Sequence, residues 1–116
     1  MILEEYLAKE FISVIEKFYP GVGELIRPCY VKVVTSYWGH PPNRLQHVAI
    51  YCPEDQLAAV KNQKDALKEV AQQMGLAEVI CISATRLLRD PRSSIKQSDP
   101  RFWLELHWVT SHNQSP

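Results

Sequence analysis

The sequence has no apolar run of 18 residues, and its acidic and basic residues balance at 13 each. Without such a run, no segment is expected to span a membrane. Glu4, Glu5 and Glu10 interrupt the first residues, which therefore lack the basic and apolar regions of a secretory signal. A formal net charge of +0 disfavours nucleic acid and acidic membranes as partners of the whole chain.

Paired cysteines are also missing. Cys29, Cys52 and Cys81 are far apart in the sequence and form no CxxC motif. An odd, scattered set argues against a disulfide framework and against a zinc knuckle. Each cysteine has apolar neighbours, which is typical of buried thiols. We therefore expect reduced thiols that do not pair with one another, and a cytoplasmic location.

Sequence motifs of catalysis are absent as well. The chain has no GxGxxG or Walker loop, no HExxH, no GxSxG and no EF-hand loop. Its histidines show no HxH or HxxxH spacing, and its carboxylates are dispersed. We therefore expect neither a metal nor a cofactor, and a non-enzymatic role is favoured. The four histidines are His40, His47, His107 and His112.

What is present is an ordinary globular composition, with 46% hydrophobic and 22% charged residues in a chain of 116. This length suits one domain and can bury a core without disulfides or metals. We expect a single α+β domain over residues 1–110, followed by a polar C-terminal tail over residues 111–116.

The hydrophobic pattern predicts two helices and four strands in the order αββαββ. Apolar residues at three- and four-residue steps predict a helix over residues 2–19, ended by Pro20 and Gly21. A second helix is expected to open at Pro53 and to end at Gly75. Residues 39–43 are rich in turn formers and join two strands into a hairpin, whereas residues 89–100 are expected to form a polar loop. The four predicted strands are Tyr30–Trp38 and residues 45–52, 78–88 and 101–110.

This order predicts a two-layer α+β sandwich. Hairpin connections favour a mostly antiparallel four-stranded sheet with both helices on one face. The arrangement could be a permuted ferredoxin-like fold or a helix-first curved sheet of the cystatin type.

The last predicted strand contains the stretch FWLELHWVT, residues 102–110, and indicates where the functional surface lies. In a strand, alternate side chains face opposite sides, so Leu104 and Trp108 are expected in the core. The opposite face carries Trp103, Glu105 and His107, a mixture of aromatic and polar groups that suggests contact with another molecule. The other residues expected to be buried are Phe11, Val48, Ile50, Leu67 and Ile82.

Glu105 and His107 form the one candidate for acid–base chemistry. Two residues apart on a strand face, they would lie about 7 Å apart between Cα atoms. A carboxylate can orient an imidazole and raise its basicity, as in catalytic dyads. An interfacial polar pair is the simpler interpretation of this common spacing. As catalytic candidates they are therefore weak.

A basic segment near the C-terminus is the candidate anion-binding site. Arginines on a loop can hold phosphates, and this segment could bind a small anionic ligand beside Glu105 and His107. Weak nucleic-acid binding is a further alternative, which the neutral charge of the chain disfavours. A solvated loop with two Asp-Pro-Arg turns is the simpler interpretation. The candidate residues are Arg86, Arg89, Arg92, Lys96 and Arg101.

We therefore expect a small protein–protein interaction or adapter module. An open sheet face with exposed aromatic residues favours a homodimer, joined through that face or through an edge strand. Its partner would be a second copy or another protein. The alternative is a small-ligand pocket or modest enzyme between the sheet and the first helix. The interface candidates are Trp38, His47, Tyr51, Trp103 and His107.

Overall fold

The computed structural model describes residues 3–112 and shows an α+β fold with a three-stranded mixed sheet. These residues form seven α-helices and a single 3-10 turn at Glu54–Gln56. In chain order the elements are α1 (Leu3–Phe18), α2 (Pro20–Ile26), β1 (Tyr30–Trp38), β2 (Asn43–Cys52), α3 (Leu57–Lys61), α4 (Lys64–Gln73), β3 (Val79–Ser83), α5 (Ala84–Arg89), α6 (Ile95–Ser98) and α7 (Pro100–His112).

The sheet has the order β1-β2-β3, so β2 is its central strand. β1 and β2 form the predicted antiparallel hairpin, in which Tyr30 lies opposite Tyr51. β2 and β3 are parallel, with Val48 opposite Val79, and α3 and α4 connect them. Residues 48–52 of β2 are all buried, which indicates that both faces of the sheet are covered at this strand.

The first helices form where apolar residues recur at helical spacing. In α1 the stripe contains Phe11 and Ile15, both fully buried. The next segment was expected to be a connection, yet it forms α2, with Pro20 at its start. Val22 and Ile26 are four residues apart and both buried, so burial stabilises this short helix.

Helices α1 to α4 cover one face of the sheet. Two fully buried strand residues, Val33 and Val48, face Phe11 of α1 and Leu67 of α4 in one continuous apolar cluster. Gly75 follows α4 with φ of 78°, a left-handed conformation that glycine adopts easily. The predicted end of the second helix is therefore confirmed, although that helix is divided into α3 and α4.

The second face of the sheet is covered too, which the two-layer prediction missed. Helix α7 packs Phe102, Leu106 and Val109 against Ala49 and Tyr51 of β2. The helices thus lie on both faces of the sheet, and the face that was predicted to be open is covered at Ala49 and Tyr51. The prediction of a two-layer sandwich with a four-stranded, mostly antiparallel sheet is wrong.

The segment predicted as the fourth strand is the helix α7. Its buried residues, Phe102, Leu106 and Val109, recur at four- and three-residue steps, the spacing of one helix face. Asp99 Oδ1 accepts a hydrogen bond from the Phe102 backbone N–H at 3.2 Å, and Pro100 occupies the first helical position. These are standard signals of a helix start, which the sequence interpretation assigned to a turn.

The third predicted strand is shorter than expected. β3 ends at Ser83, whose Oγ accepts a hydrogen bond from the Arg86 backbone N–H at 3.2 Å. This contact caps α5, so the rest of the predicted strand is helical. Within the predicted loop of residues 89–100, one short helix, α6, forms. Helix α7 continues to His112, two residues into the predicted tail, and residues 113–116 lie outside the described part of the chain.

The helical register of α7 also corrects the predicted core. Leu104 and Trp108 are 61% and 47% exposed, because they lie on the outward side of the helix. Ile82 is half-buried. Phe11, Val48, Ile50 and Leu67 are fully buried, as predicted.

Two leucines of α7 provide a matched test of this register. Leu106→Ala should destabilise the fold by about 2–5 kcal/mol, because a fully buried leucine leaves a cavity. Leu104→Ala should change the free energy of unfolding by less than about 0.5 kcal/mol. Urea denaturation of both variants measures the difference. A larger loss of stability for Leu104→Ala than for Leu106→Ala would contradict the helix and support the predicted strand register.

Candidate functional site

The outer edge of β1 forms the floor of a cleft of about 520 Å³, here named the edge cleft. Among the described residues, β1 pairs only with β2, so its other edge has no strand beside it. The floor runs from Cys29 to Val33. Arg101, Phe102 and Glu105 of α7 form one wall. The wall from α1 consists of Glu4, Glu5, Ala8, Lys9 and Ile12.

An ion pair links the two walls of the edge cleft. Arg101 Nη1 lies 3.7 Å from Glu5 Oε1, and both side chains are well exposed. Exposed pairs of this kind contribute about 0–1 kcal/mol, so the link can open at little cost. Lys9 and Glu105 lie one helical turn further along the two walls, and neither has an ion-pair partner within residues 3–112.

The side chain of Lys32, on the edge strand β1, points toward α7 and not toward solvent at the strand edge. Its Nζ lies 3.3 Å from Asp99 Oδ2 and 4.2 Å from the centre of the Phe102 ring. The lysine therefore ties β1 to the start of α7 by an ion pair and a cation–π contact. An inward-pointing charge on an edge strand also disfavours pairing with the edges of other sheets.

Tyr30, which the sequence groups with Trp38, Tyr51 and Trp103 as aromatics of one sheet face, brings a phenol to the floor of the edge cleft. Its ring centre lies 5.8 Å from that of Phe102 and 6.4 Å from that of Tyr51. Burial raises the pKa of Tyr30 above its ordinary value, and the nearby carboxylate of Glu105 raises it further. The phenol is therefore a neutral hydrogen-bonding group at physiological pH.

The structure separates Glu105 from His107. Two residues apart on a helix they point in directions about 200° apart. Glu105 lines the edge cleft, whereas the ring centre of His107 lies 4.2 Å from that of Trp103, edge to face. The strand geometry on which the acid–base dyad was based is therefore absent.

The predicted anion-binding residues do not converge on one point. Arg86 bonds Glu54 with an Nη2–Oε1 distance of 2.6 Å, and Arg101 pairs with Glu5. Lys96 lies 5.2 Å from the centre of the Trp103 ring. Arg89 and Arg92 are exposed.

Glu54 organises a polar cluster at the carboxyl ends of β2 and β3. Its carboxylate accepts hydrogen bonds from the Ser83 hydroxyl and from Arg86. The hydrogen bond from Ser83, followed by that from Arg86, lowers the pKa of Glu54 below its ordinary range. Since Ser83 also caps α5, this cluster fixes the start of that helix. The carboxylate also neutralises much of the nearby positive charge.

The three cysteines are free thiols, and two of them are close neighbours. The strand register that places Tyr30 opposite Tyr51 also places Cys29 beside Cys52. The neighbouring Cys29 thiol, together with burial, raises the pKa of Cys52. The sequence did not reveal this proximity because it depends on the register of the hairpin.

The interface candidates fall into different environments. Tyr51 is buried against Phe102, and Trp103 and His47 are half-buried. Trp38 is 64% exposed. It belongs to the distal part of the β1–β2 hairpin, residues 36–45, here named the hairpin arm.

The hairpin arm extends beyond the covered part of the sheet. Tyr37 and Leu45 are 67% and 42% exposed, and the tip between the strands is exposed as well. The sequence interpretation missed Tyr37 and Leu45. The predicted bounds of the first two strands do contain a signal for such an arm. Two long strands joined by residues 39–43 need not be covered to their ends.

Within residues 3–112, no group of three or more His, Cys, Asp or Glu side chains is arranged to hold a metal ion. No helix of this range has the length and apolar content needed to cross a bilayer. Comparison with protein-family models, curated proteins and solved structures found no match to this chain.

The Glu54 cluster predicts a pH-dependent contribution to stability. A carboxyl whose pKa is lowered by folding stabilises the native state above its ordinary pKa of about 4.3. This contribution disappears as the pH falls through the lower, folded-state value. Glu54→Gln should therefore lower the melting temperature at pH 7, and the difference from the native chain should shrink at about pH 3. Melting curves of Asp55→Asn provide the control. An equal deficit for Glu54→Gln at both pH values would contradict this role.

The thiols predict a second chemical behaviour. Cys52 is fully buried and its pKa is raised, so it should resist alkylation in the native chain at neutral pH. All three cysteines should react in denaturant, as measured by intact mass and peptide mapping. Fast native labelling of Cys52, or a mass two hydrogens low before labelling, would contradict the structure.

Proposed function

We propose that the chain is a non-enzymatic protein–protein interaction module that forms a homodimer through its hairpin arm. The observation that supports this proposal is the exposure of three large side chains on the hairpin arm, with Trp38 and Leu45 on one face and Tyr37 on the other. Tyrosine and tryptophan are the residues most often found at the energetic centres of interfaces. Large apolar side chains gathered on a small projection favour contact with another protein.

The charge of the hairpin arm is compatible with self-association. Residues 36–43 contain no Asp, Glu, Lys or Arg, and Arg44 is the single charged residue of residues 36–45. Burial of this segment therefore requires little desolvation of charge. Its neutral tip also avoids like-charge repulsion between two copies. A two-fold symmetric dimer is the commonest arrangement for a self-complementary surface.

The proposal differs from the sequence expectation in the surface that it uses. An open sheet face can no longer carry the dimer, because α7 covers Tyr51. Trp38 and His107 are the interface candidates that stay exposed, and Trp38 is the large apolar one. Three free thiols support a reducing location such as the cytoplasm.

The small-ligand and nucleic-acid alternatives have weaker support. The edge cleft contains Glu105 and Arg101, but His107 faces Trp103 instead. The Glu54 carboxylate forms an ion pair with Arg86 and interacts electrostatically with the nearby Arg89. The basic segment therefore does not present a concentrated positive surface for phosphates.

Trp38→Ala tests the hairpin arm directly. The native chain should dimerise in sedimentation equilibrium, and the variant should raise the dissociation constant at least tenfold, as expected for an interface hot spot. Phe18→Ala is the matched control, since Phe18 is equally exposed at 64% but lies at the C-terminal end of α1. The control should leave dimerisation unchanged. A native chain that stays monomeric at millimolar concentration would overturn the proposal, as would an equal loss in both variants.

A further inference from the structure

The edge cleft has the shape and chemistry of a binding site that is separate from the hairpin arm. Its floor consists of Cys29 and the unpaired edge of β1 from Tyr30 to Val33, and its walls are α1 and α7. In an antiparallel pair, alternate residues direct both N–H and C=O toward the partner strand, and the others direct them outward. The floor therefore presents backbone donors and acceptors at the spacing of a strand.

We propose that the edge cleft binds an extended peptide segment of another protein, which adds to the sheet as a fourth strand beside β1. Backbone groups at strand spacing are matched by a second extended backbone, the mode known as β-augmentation. The four floor residues that belong to β1, Tyr30 to Val33, span about 14 Å at roughly 3.4 Å per residue. A peptide of similar length can contact both walls at once.

The walls argue for a slender peptide as the occupant. α1 and α7 flank the edge on both sides, so β1 is recessed between them. A second copy of the chain would carry the same two walls beside its own β1. The walls of the two copies would collide before their strands could pair. A single extended segment has no such walls and can reach the floor.

The charges on the walls specify the chemistry of the peptide. Lys9 of α1 and Glu105 of α7 line opposite walls, and neither has an ion-pair partner within residues 3–112. Side chains of an added strand alternate between the two walls. An acidic side chain would therefore face Lys9, and the next, basic side chain would face Glu105. We expect a segment in which acidic and basic residues alternate.

The apolar surface near these charges allows a second element of recognition. Ala8 and Ile12 line the α1 wall, and Phe102 lines the α7 wall. The Glu5–Arg101 ion pair connects the walls, and its small stabilisation lets a peptide displace it. The ligand class is thus an extended, charge-alternating segment with apolar residues between the charges.

Panning a phage-displayed library of random decapeptides against the native chain and two wall variants tests this proposal. The native chain should enrich peptides with alternating acidic and basic residues. Glu105→Lys replaces the carboxylate of the α7 wall by a basic side chain, so its enriched peptides should lose basic residues and gain acidic ones. Lys9→Glu should shift the selection the opposite way. Arg92→Glu changes an exposed arginine outside the edge cleft and should leave the selection unchanged.

The peptide that the native chain enriches most is then synthesised and measured by fluorescence polarisation. Glu105→Lys should weaken its binding at least tenfold. Two versions of this peptide are then methylated at every second backbone nitrogen, each version at a different set. One version should lose binding and the other should keep it, because only one set of amides faces β1. No enrichment, equal binding of both methylated versions, or wall variants with unchanged selection would each overturn the proposal. A dimer that Glu105→Lys converts to monomer would also overturn it, since the occupant would be a second copy. Loss of dimerisation in Trp38→Ala reports on the hairpin arm alone.

Discussion

The position of α7, on which the covered sheet and the edge cleft both depend, is fixed by Asp99. Its carboxylate accepts a hydrogen bond from the Phe102 backbone N–H and pairs with Lys32 of β1. The hydrogen bond from Phe102 is the main cause of its lowered pKa. One side chain thus starts the helix and joins it to the sheet edge. Phe102 is then held against Tyr51 of β2.

The contacts of Asp99 with Lys32 and Phe102 also explain why the edge of β1 has no strand beside it and is still protected against pairing with other sheets. Lys32 is drawn inward to Asp99 and the Phe102 ring, and the Glu5–Arg101 pair spans the walls above. These features restrain indiscriminate pairing with other sheet edges. They leave a recessed edge that favours a slender segment over a complete sheet. Protection against aggregation and selectivity for a peptide can therefore have one structural cause.

The sequence predicted the first half of the fold better than the second, for a physical reason. β1 has the predicted bounds and α1 nearly so, because their apolar patterns match a single period. In residues 102–110, apolar and aromatic residues are so frequent that periods of 2 and 3.6 both fit. The Asp99-Pro100 pair is the signal that favours a helix, since Asp is a common N-cap residue and Pro is common at the first helical position. It was instead interpreted as a turn, which placed Leu104 in the core and Glu105 beside His107.

The two proposed surfaces follow from different kinds of information. Trp38 could be recognised from the sequence, since a large aromatic beside a turn-rich tip is suited to an interface wherever the sheet lies. The edge cleft could not, because Lys9, Tyr30 and Glu105 are distant in sequence and meet only when α1 and α7 lie on opposite sides of β1. The hairpin arm exposes aromatic side chains, whereas the edge cleft holds backbone groups and charged side chains between its walls. Their partners should accordingly differ, because the arm offers large apolar side chains and the cleft offers backbone groups and charges.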